Sequence, residues 1–325
     1  MSEANGAGRD APHLERLEGV GFRPVFIMGS ARSGTTILYR LLGMTERFNS
    51  VTAYHLLDYD RLLAHHLEGT TEQAKRDLAE RFQKAGVSGA RFDGVEISPD
   101  FPEEYGFGLQ SGYRIQLSPG TLPRFLELCR KVQFVSVPDR PLLLKNPWDS
   151  RNFMFIKKVL PESRFIFIHR NPVDVVRSLL EGVRSLLGSR NAYHALLAES
   201  YDRLMDRPAL LFLARLMFSS HFGLGTRVVG RQVARDARYF VQNVGSLAPA
   251  DYVSVRYEDL CRDPGPIVNQ ILRFLELPEN DEVPYGSFIR VRERRDPPAG
   301  DGNAKAILRR VDLKPYLAYC GYEAE

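Results

Sequence analysis

The chain alternates short, wholly apolar runs with longer stretches whose apolar residues recur every three or four positions. The run "VFIM", Val25–Met28, lies between Pro24 and Gly29 and is rich in β-branched and aromatic residues, which predicts a buried strand. Directly after it, "TTILYRLLGM" sets Ile37, Leu38, Leu41, Leu42 and Met44 on one stripe, the signature of an amphipathic helix. The same strand-then-helix rhythm returns three times: Leu142–Lys145 before "SRNFMFIKKVL", "SRFIFIH" before "NPVDVVRSLLEGV", and "DYVSVRY" before "DPGPIVNQILRFLEL". The helix after "SRFIFIH" carries its own start signal, with Asn171 as cap and Pro172 in the first turn.

Strands that alternate with helices predict a three-layer α/β fold, a mostly parallel sheet with helices on both faces. Residues 23–325 read as one domain, since no Gly/Ser-rich linker and no internal repeat divides them. The helical stretch at about 179–244 reads as an elaboration on that domain. Between Tyr54 and Lys84 the pattern predicts one or two amphipathic helices. Residues 90–120 are rich in Gly, Pro and aromatics and read as an irregular excursion. Residues 1–22 are polar and are expected to form a disordered arm.

Composition narrows the class only a little. The 325 residues are 44% hydrophobic and 26% charged, with a formal net charge of +4, ordinary for a globular protein and too weakly basic to argue for nucleic acid. Cys129, Cys261 and Cys320 are widely spaced, form no CxxC pair, and read as ordinary thiols of a reducing compartment. No apolar h-region and no run of membrane-spanning length occurs, so the expected location is the cytoplasm.

The chemistry concentrates in "GSARSGTT", Gly29–Thr36. Its glycine spacing is that of the nucleotide-binding loop G-x-x-x-x-G-K-[ST], but Thr35 stands where the lysine belongs. Successive backbone N–H groups and a helix N-terminus still make a cup for an oxyanion, and Arg32 inside the loop offers a planar fork of donors. A nucleotide kinase or triphosphatase would need the missing lysine and a magnesium-binding carboxylate at a strand end, where this chain has His169 and Arg170.

The loop resembles the 5′-phosphosulfate loop of sulfotransferases that use 3′-phosphoadenosine-5′-phosphosulfate (PAPS), whose usual form is P-R-S-G-T-T-L; Ala31 replaces the proline. "RFIFIHRNPVDVVRSLL" resembles the same family's 3′-phosphate motif at Arg170, Asn171, Pro172, Asp174, Val175 and Ser178. "VRYEDLCRDPGPIVNQILRFLELP" resembles a third stretch of the family, in which Tyr257, Glu258 and Asp259 are expected to be structural. The three matches follow the family's order along most of the chain.

The resemblance implies a P-loop-like fold, PAPS as cosubstrate, adenosine 3′,5′-bisphosphate as product, and no metal. It assigns Arg32, Ser33, Gly34, Thr35 and Thr36 to the 5′ side, and Arg170 and Ser178 to the 3′-phosphate. Arg294, Arg295 and Lys305, in a basic glycine-containing stretch, are further 3′-phosphate candidates. Lys145 in "LLLKNPW" is expected to stabilise the leaving phosphate together with Arg32, and Trp148 is a candidate for stacking on a ring in the pocket. Relatives often carry a carboxylate base where this chain has Ala53, so His55 is the expected base, with Asp58 and the pair His65 and His66 behind it; those two histidines are expected on a solvated helix face. The acceptor is expected to be a hydroxyl of a sugar, lipid or natural product, because "YGFGLQSGY" and "LLFLARLMF" suggest a sizeable hydrophobic or glycan-bearing substrate. The same helices suit a dimer face or core, and a homodimer stays open. A PAPS-binding protein with little turnover, favoured by Ala53, is the alternative within this resemblance.

Overall fold

A computed structural model describes residues 8–87, 91–92, 95–109, 115–219, 223–280, 283–288 and 313–322. Seven strands are present among them: β1 (Pro24–Met28), β2 (Asn49–Ser50), β3 (Arg91–Phe92), β4 (Val95–Glu96), β5 (Leu142–Lys145), β6 (Arg164–His169) and β7 (Tyr252–Arg256). Five of these form an all-parallel sheet in the order β2-β5-β1-β6-β7; β3 and β4 pair antiparallel by themselves.

Strands buried on both faces must be apolar throughout, and β1 and β5 have no exposed position. Alternate residues then serve opposite layers. Phe26, Met28, Leu142, Leu144, Phe165 and Phe167 point into one core cluster, with Phe125, Phe153 and Phe240 closing it from the helices. Val25, Ile27, Leu143, Ile166, Ile168 and Val255 point into the other, against Leu38, Leu41 and Leu42 on one side and Val268, Ile271 and Leu272 on the other. Aromatic rings knit the first cluster, with Phe167 and Phe240 edge-to-face at 4.9 Å.

The register decides where the chemistry falls. Ile27 lies opposite Lys145 and Met28 opposite Phe167, so β1, β5 and β6 end at one edge. The chain passes from β1 to the β2–β5 side and then crosses to β6 and β7, so the strand order reverses at β1. Ligand crevices in open α/β sheets form at such a reversal, outside the strand carboxyl ends.

The helices that matter below are α1 (Thr35–Gly43), α2 (Ala53–Leu57), α3 (Leu62–Leu67), α4 (Thr71–Lys84), α5 (Leu122–Val135), α6 (Phe153–Val159), α7 (Pro172–Gly188), α8 (Ala192–Leu197), α9 (Glu199–Met205), α10 (Pro208–Phe218) and α11 (Leu224–Asn243). The stretch expected as one or two helices is thus broken into α2, α3 and α4, with a 3-10 turn at Tyr59–Arg61.

Residues 8–22 correct the expectation of a disordered arm. Ala11–Leu17 form a 3-10 helix, and Leu17 is buried. The reason is electrostatic. α5 buries Lys131, and Asp10 answers it at 2.9 Å while also accepting from the Ala64 amide at 3.0 Å. Glu127 and the Tyr59 carbonyl complete the ammonium's shell. Removing one member of a buried ion pair leaves the other charge uncompensated. Asp10→Ala should therefore cost about 3 kcal/mol of stability; urea denaturation showing a loss close to zero would mean that the arm is not anchored this way.

Candidate active site

The loop after β1 is shaped by three residues. A Cβ on Gly29 would lie 2.6 Å from Ser33 Oγ and 2.8 Å from the Ile168 carbonyl. Gly34 has φ +102°, and a Cβ there would overlap the ring of Tyr257. Arg32, between them, is held in the left-handed region at φ +70°, a strained conformation for a residue with a Cβ. The loop runs into the N-terminus of α1, where Gly34 provides no side-chain cap. Ser33 Oγ is buried and has no hydrogen-bond partner, while Thr35 is buried and Thr36 half-buried. Glycines that admit backbone close to a ligand, uncapped amides and an unpaired hydroxyl together suit an oxyanion.

The second motif starts where β6 ends. The Asn171 side chain accepts from the Val173 amide at 3.0 Å, which caps α7, and Pro172 opens the helix. Arg170 Nη1 donates to the Arg32 carbonyl at 2.9 Å, and Arg32 Nε donates to Ser178 Oγ at 3.1 Å. Arg32, Arg170 and Ser178, far apart in the chain, therefore meet. The third motif braces them: the Tyr257 ring lies 4.4 Å from the Arg170 guanidinium, and Glu258 accepts from the Asn171 amide at 3.1 Å and from the Tyr322 hydroxyl at 2.7 Å.

Asp236 of α11 was not singled out by the sequence. Ser30 Oγ donates to it at 2.9 Å, and Arg151 Nε pairs with it at 3.1 Å, which ties the loop to α11. Burial raises its carboxyl above the ordinary range. Gly29, Ser30, Arg170 and Asp236 line a small solvent-open cleft, with His169 and Phe240 in its wall. The His169 ring lies 3.1 Å from Tyr316 Oη and 3.3 Å from Ser254 Oγ, and burial lowers its pKa to about 4.

Lys145 ends β5, buried to 3% exposure, and its ammonium donates to Glu104 Oε1 at 2.8 Å. Glu103 is buried beside it. Tyr193 donates to Glu103 Oε1 at 2.6 Å and the Glu104 amide to Oε2 at 3.1 Å. Burial raises Glu103 to about 7, with the charge of Lys145 opposing the shift. Both carboxylates arrive by backbone pairing. Ala53 donates to the Phe101 carbonyl, Glu103 donates to the Val51 carbonyl, and Thr52 bridges Pro102. Two acids thus lie against the segment where Ala53 leaves a carboxylate missing. Their only sequence signal was an adjacent pair in "PEEYG", inside a stretch without periodicity.

His55, the base expected from the sequence, is engaged at the start of α2. Its Nδ1 accepts from the Thr52 amide at 3.1 Å in a capping box for α2, and burial lowers its pKa to about 4. The charged groups that face it are Lys75 and Asp100, whereas those that face Glu103 are Lys145 and Glu104. Asp58 is buried beside Arg61 and Arg81. His65 corrects the expectation of a solvated face: it is buried with Nδ1 3.0 Å from Tyr54 Oη, while His66 is exposed with its ring edge-on to Phe134. Trp148 is exposed, and its carbonyl accepts from Gln116 at 2.6 Å. Arg294, Arg295 and Lys305 lie outside the described residues.

Residues 24–217 match the sulfotransferase family. The chain belongs to that family. Among curated proteins it is similar to the omega-hydroxy-beta-dihydromenaquinone-9 sulfotransferase Stf3 of Mycobacterium bovis and of Mycobacterium tuberculosis, 26% identical over 280 residues in each case. That likeness covers 78% of this chain but 63% of the length of those relatives. Two solved structures share the fold: sulfotransferase STF9 from Mycobacterium avium (TM-score 0.59, 17% identity, covering 97% of this chain and 81% of that one) and sulfotransferase STF1 from Mycobacterium tuberculosis (TM-score 0.52, 18% identity, covering 83% and 72%). The parallel sheet with its loop after β1 is therefore the P-loop-like fold of sulfotransferases.

The titrations of these buried groups oppose one another. His55 and His169 are lowered from 6.5 to about 4, so the stability their burial carries is present above 6.5 and is lost as pH falls toward 4. Glu103 is raised from 4.5 to about 7, so its contribution is present below 4.5 and is lost as pH rises through 7. In thermal unfolding across this range, His169→Gln should flatten the acid limb and Glu103→Gln the neutral limb. Parallel curves for wild type and either variant would contradict the assignment.

Proposed function

We propose that this chain transfers a sulfuryl group from PAPS to a hydroxyl of a lipid or natural product. The observation that carries this reading is the junction of Arg32, Arg170 and Ser178, which joins the 5′ loop and the 3′ motif at one sheet edge. In the reaction the acceptor oxygen bonds to sulfur, the bond from sulfur to the bridging phosphate oxygen breaks, and the hydroxyl proton passes to a base. Adenosine 3′,5′-bisphosphate leaves. The protein's part is to position the groups and to neutralise charge as it moves onto the leaving phosphate.

The loop amides, Ser33, Thr35 and Thr36 hold the 5′ side, and Arg170 and Ser178 hold the 3′-phosphate. Arg32 and Lys145 supply positive charge at the transfer point. Glu104 is the base in this reading: it contacts Lys145, and its side chain is 19% exposed toward solvent. Glu103, fully enclosed, positions that segment through Tyr193. A groove of about 220 Å³ lined by Leu56, Leu57, Phe107, Leu196 and Leu197, with Arg124 at its polar side, offers apolar side chains to an acceptor, and Phe107 follows closely on Glu104 in the chain. The hydroxylated lipid in the printed name of the Stf3 relatives supports the same acceptor class. A kinase reading has less support, because Thr35 occupies the lysine position of the loop.

Calorimetric titration with adenosine 3′,5′-bisphosphate should show binding without metal, weakened about tenfold or more in Arg170→Ala, which removes charge-assisted hydrogen bonds. Binding of ATP with magnesium alone would hand the site to the kinase reading. With labelled PAPS and a panel of long-chain alcohols, Glu104→Gln should lower transfer about 10²-fold or more while keeping bisphosphate affinity. His55→Ala should leave transfer within a few-fold; the reverse pattern would restore His55 as base.

A further inference from the structure

α10, "PALLFLARLMF", has no buried residue, although it is among the most apolar helices of the chain. Phe212 is 64% exposed and Leu213 58%, and Leu210, Leu216 and Met217 are exposed beside them. Leu224 and Val228 of α11 continue the ridge. A contiguous apolar surface of this kind marks a site of interaction.

The ridge is held outward by polar brackets rather than by burial. Arg215 Nε donates to the Leu187 carbonyl at 2.7 Å and Nη2 to the Gly188 carbonyl at 3.1 Å, which satisfies the last turn of α7. Arg184 returns the contact, donating to the Phe218 carbonyl at 2.8 Å. Where α11 begins, a Cβ on Gly225 would lie 2.8 Å from the Phe218 ring, so the two helices approach closely. The apolar side chains therefore face water in a fixed arrangement.

The charge beside the ridge selects the occupant. Arg227, Arg231, Arg235 and Arg238 are all exposed on α11, spaced along one stripe, and none forms an ion pair with a described residue. α10 contains no acid, and the acid of α11, Asp236, is buried and bonded to Ser30. The acids next to α10 in the chain lie on α9 and at its C-cap and are already paired, Asp202 and Asp206 with Arg190 and Glu199 with Arg203. A second copy packed two-fold on this face would therefore bring the α11 arginines together without a free carboxylate from these helices to answer them, which disfavours self-association. An anionic bilayer meets both features: apolar residues enter the acyl boundary and arginines meet lipid phosphates.

We infer that α10 and the exposed stripe of α11 form a docking surface for an anionic lipid bilayer, on which the protein sits peripherally. None of the described helices is long and apolar enough to cross a membrane, and the docking needs no such helix. The inference stands on the surface alone and does not require the reaction proposed above.

The test is flotation of the full chain with vesicles of phosphatidylcholine alone or mixed with phosphatidylglycerol. Wild type should float with the mixed vesicles and far less with phosphatidylcholine. Arg227→Gln with Arg231→Gln should lower partitioning onto the mixed vesicles roughly twenty-five-fold, at roughly fivefold for each arginine. Phe212→Ser with Leu213→Ser should abolish it. Unchanged thermal unfolding of all variants will show that these exposed substitutions leave the fold intact. Wild type that stays in solution with every vesicle overturns the inference, as does flotation that neither double variant alters. A dimer in sedimentation that Phe212→Ser dissociates, without vesicle binding, reassigns the face to self-association.

Discussion

The arrangement depends on one peptide unit, that of Arg32. Its left-handed backbone turns the loop so that the carbonyl receives Arg170 from the end of β6, while its own guanidinium reaches Ser178 two turns into α7. A strained residue persists only where its surroundings over-determine it. Here they do: Tyr257 occupies the space that a Cβ on Gly34 would need, and Asp236 holds Ser30 at the start of the loop. The strain is thus supported from β6, α7, α11 and the segment after β7, each arriving at the same sheet edge because the parallel register ends the strands there.

The second half of the site follows from a desolvation problem. A lysine at the end of an apolar strand must find a counter-charge, and Lys145 finds Glu104. That carboxylate comes from an irregular segment which pairs its backbone with the residues around Ala53. The backbone thus supplies at one place what the side chain at another lacks. The cost of burial falls on Glu103, whose pKa is raised to about 7, with neighbouring Glu104 adding to the shift. In the proposed reaction these two carboxyl groups, one enclosed and one facing solvent, take the positioning and the proton-accepting parts.

What could be read from the sequence was whatever local pattern fixes. Leu142–Lys145 falls on the strand predicted from its apolar run, and the loop after β1 declares itself by glycine spacing. Arg170 and Ser178 could be placed at a strand end and on the helix that follows, because that path is short and regular. Glu104 could not, since its segment has neither period and its meaning depends on backbone pairing with Val51 and Ala53. Asp10 failed for the same reason: a polar arm looks disordered until Lys131, buried by a helix far along the chain, is seen to need it. His55 and His65 show the converse limit. A histidine in a plausible place carries no label that distinguishes a base from a cap or a buried partner of a tyrosine.

The helices that grip the loop after β1 also carry the exposed ridge. α7 supplies Ser178 to Arg32 near its start and offers its last carbonyls to Arg215 at its end. α11 supplies Asp236 to Ser30 in its second half and exposes Leu224 and Val228 in its first. Val176 and Leu180 pack with Val229 and Val233 between the two helices, so neither helix can shift without the other. A surface fixed by α7 and α11 is therefore fixed relative to the loop as well. Well-packed interiors transmit displacement rather than absorb it. The exposed apolar face thus lies on the outer helices and the loop at the sheet edge, both held by the same two helices.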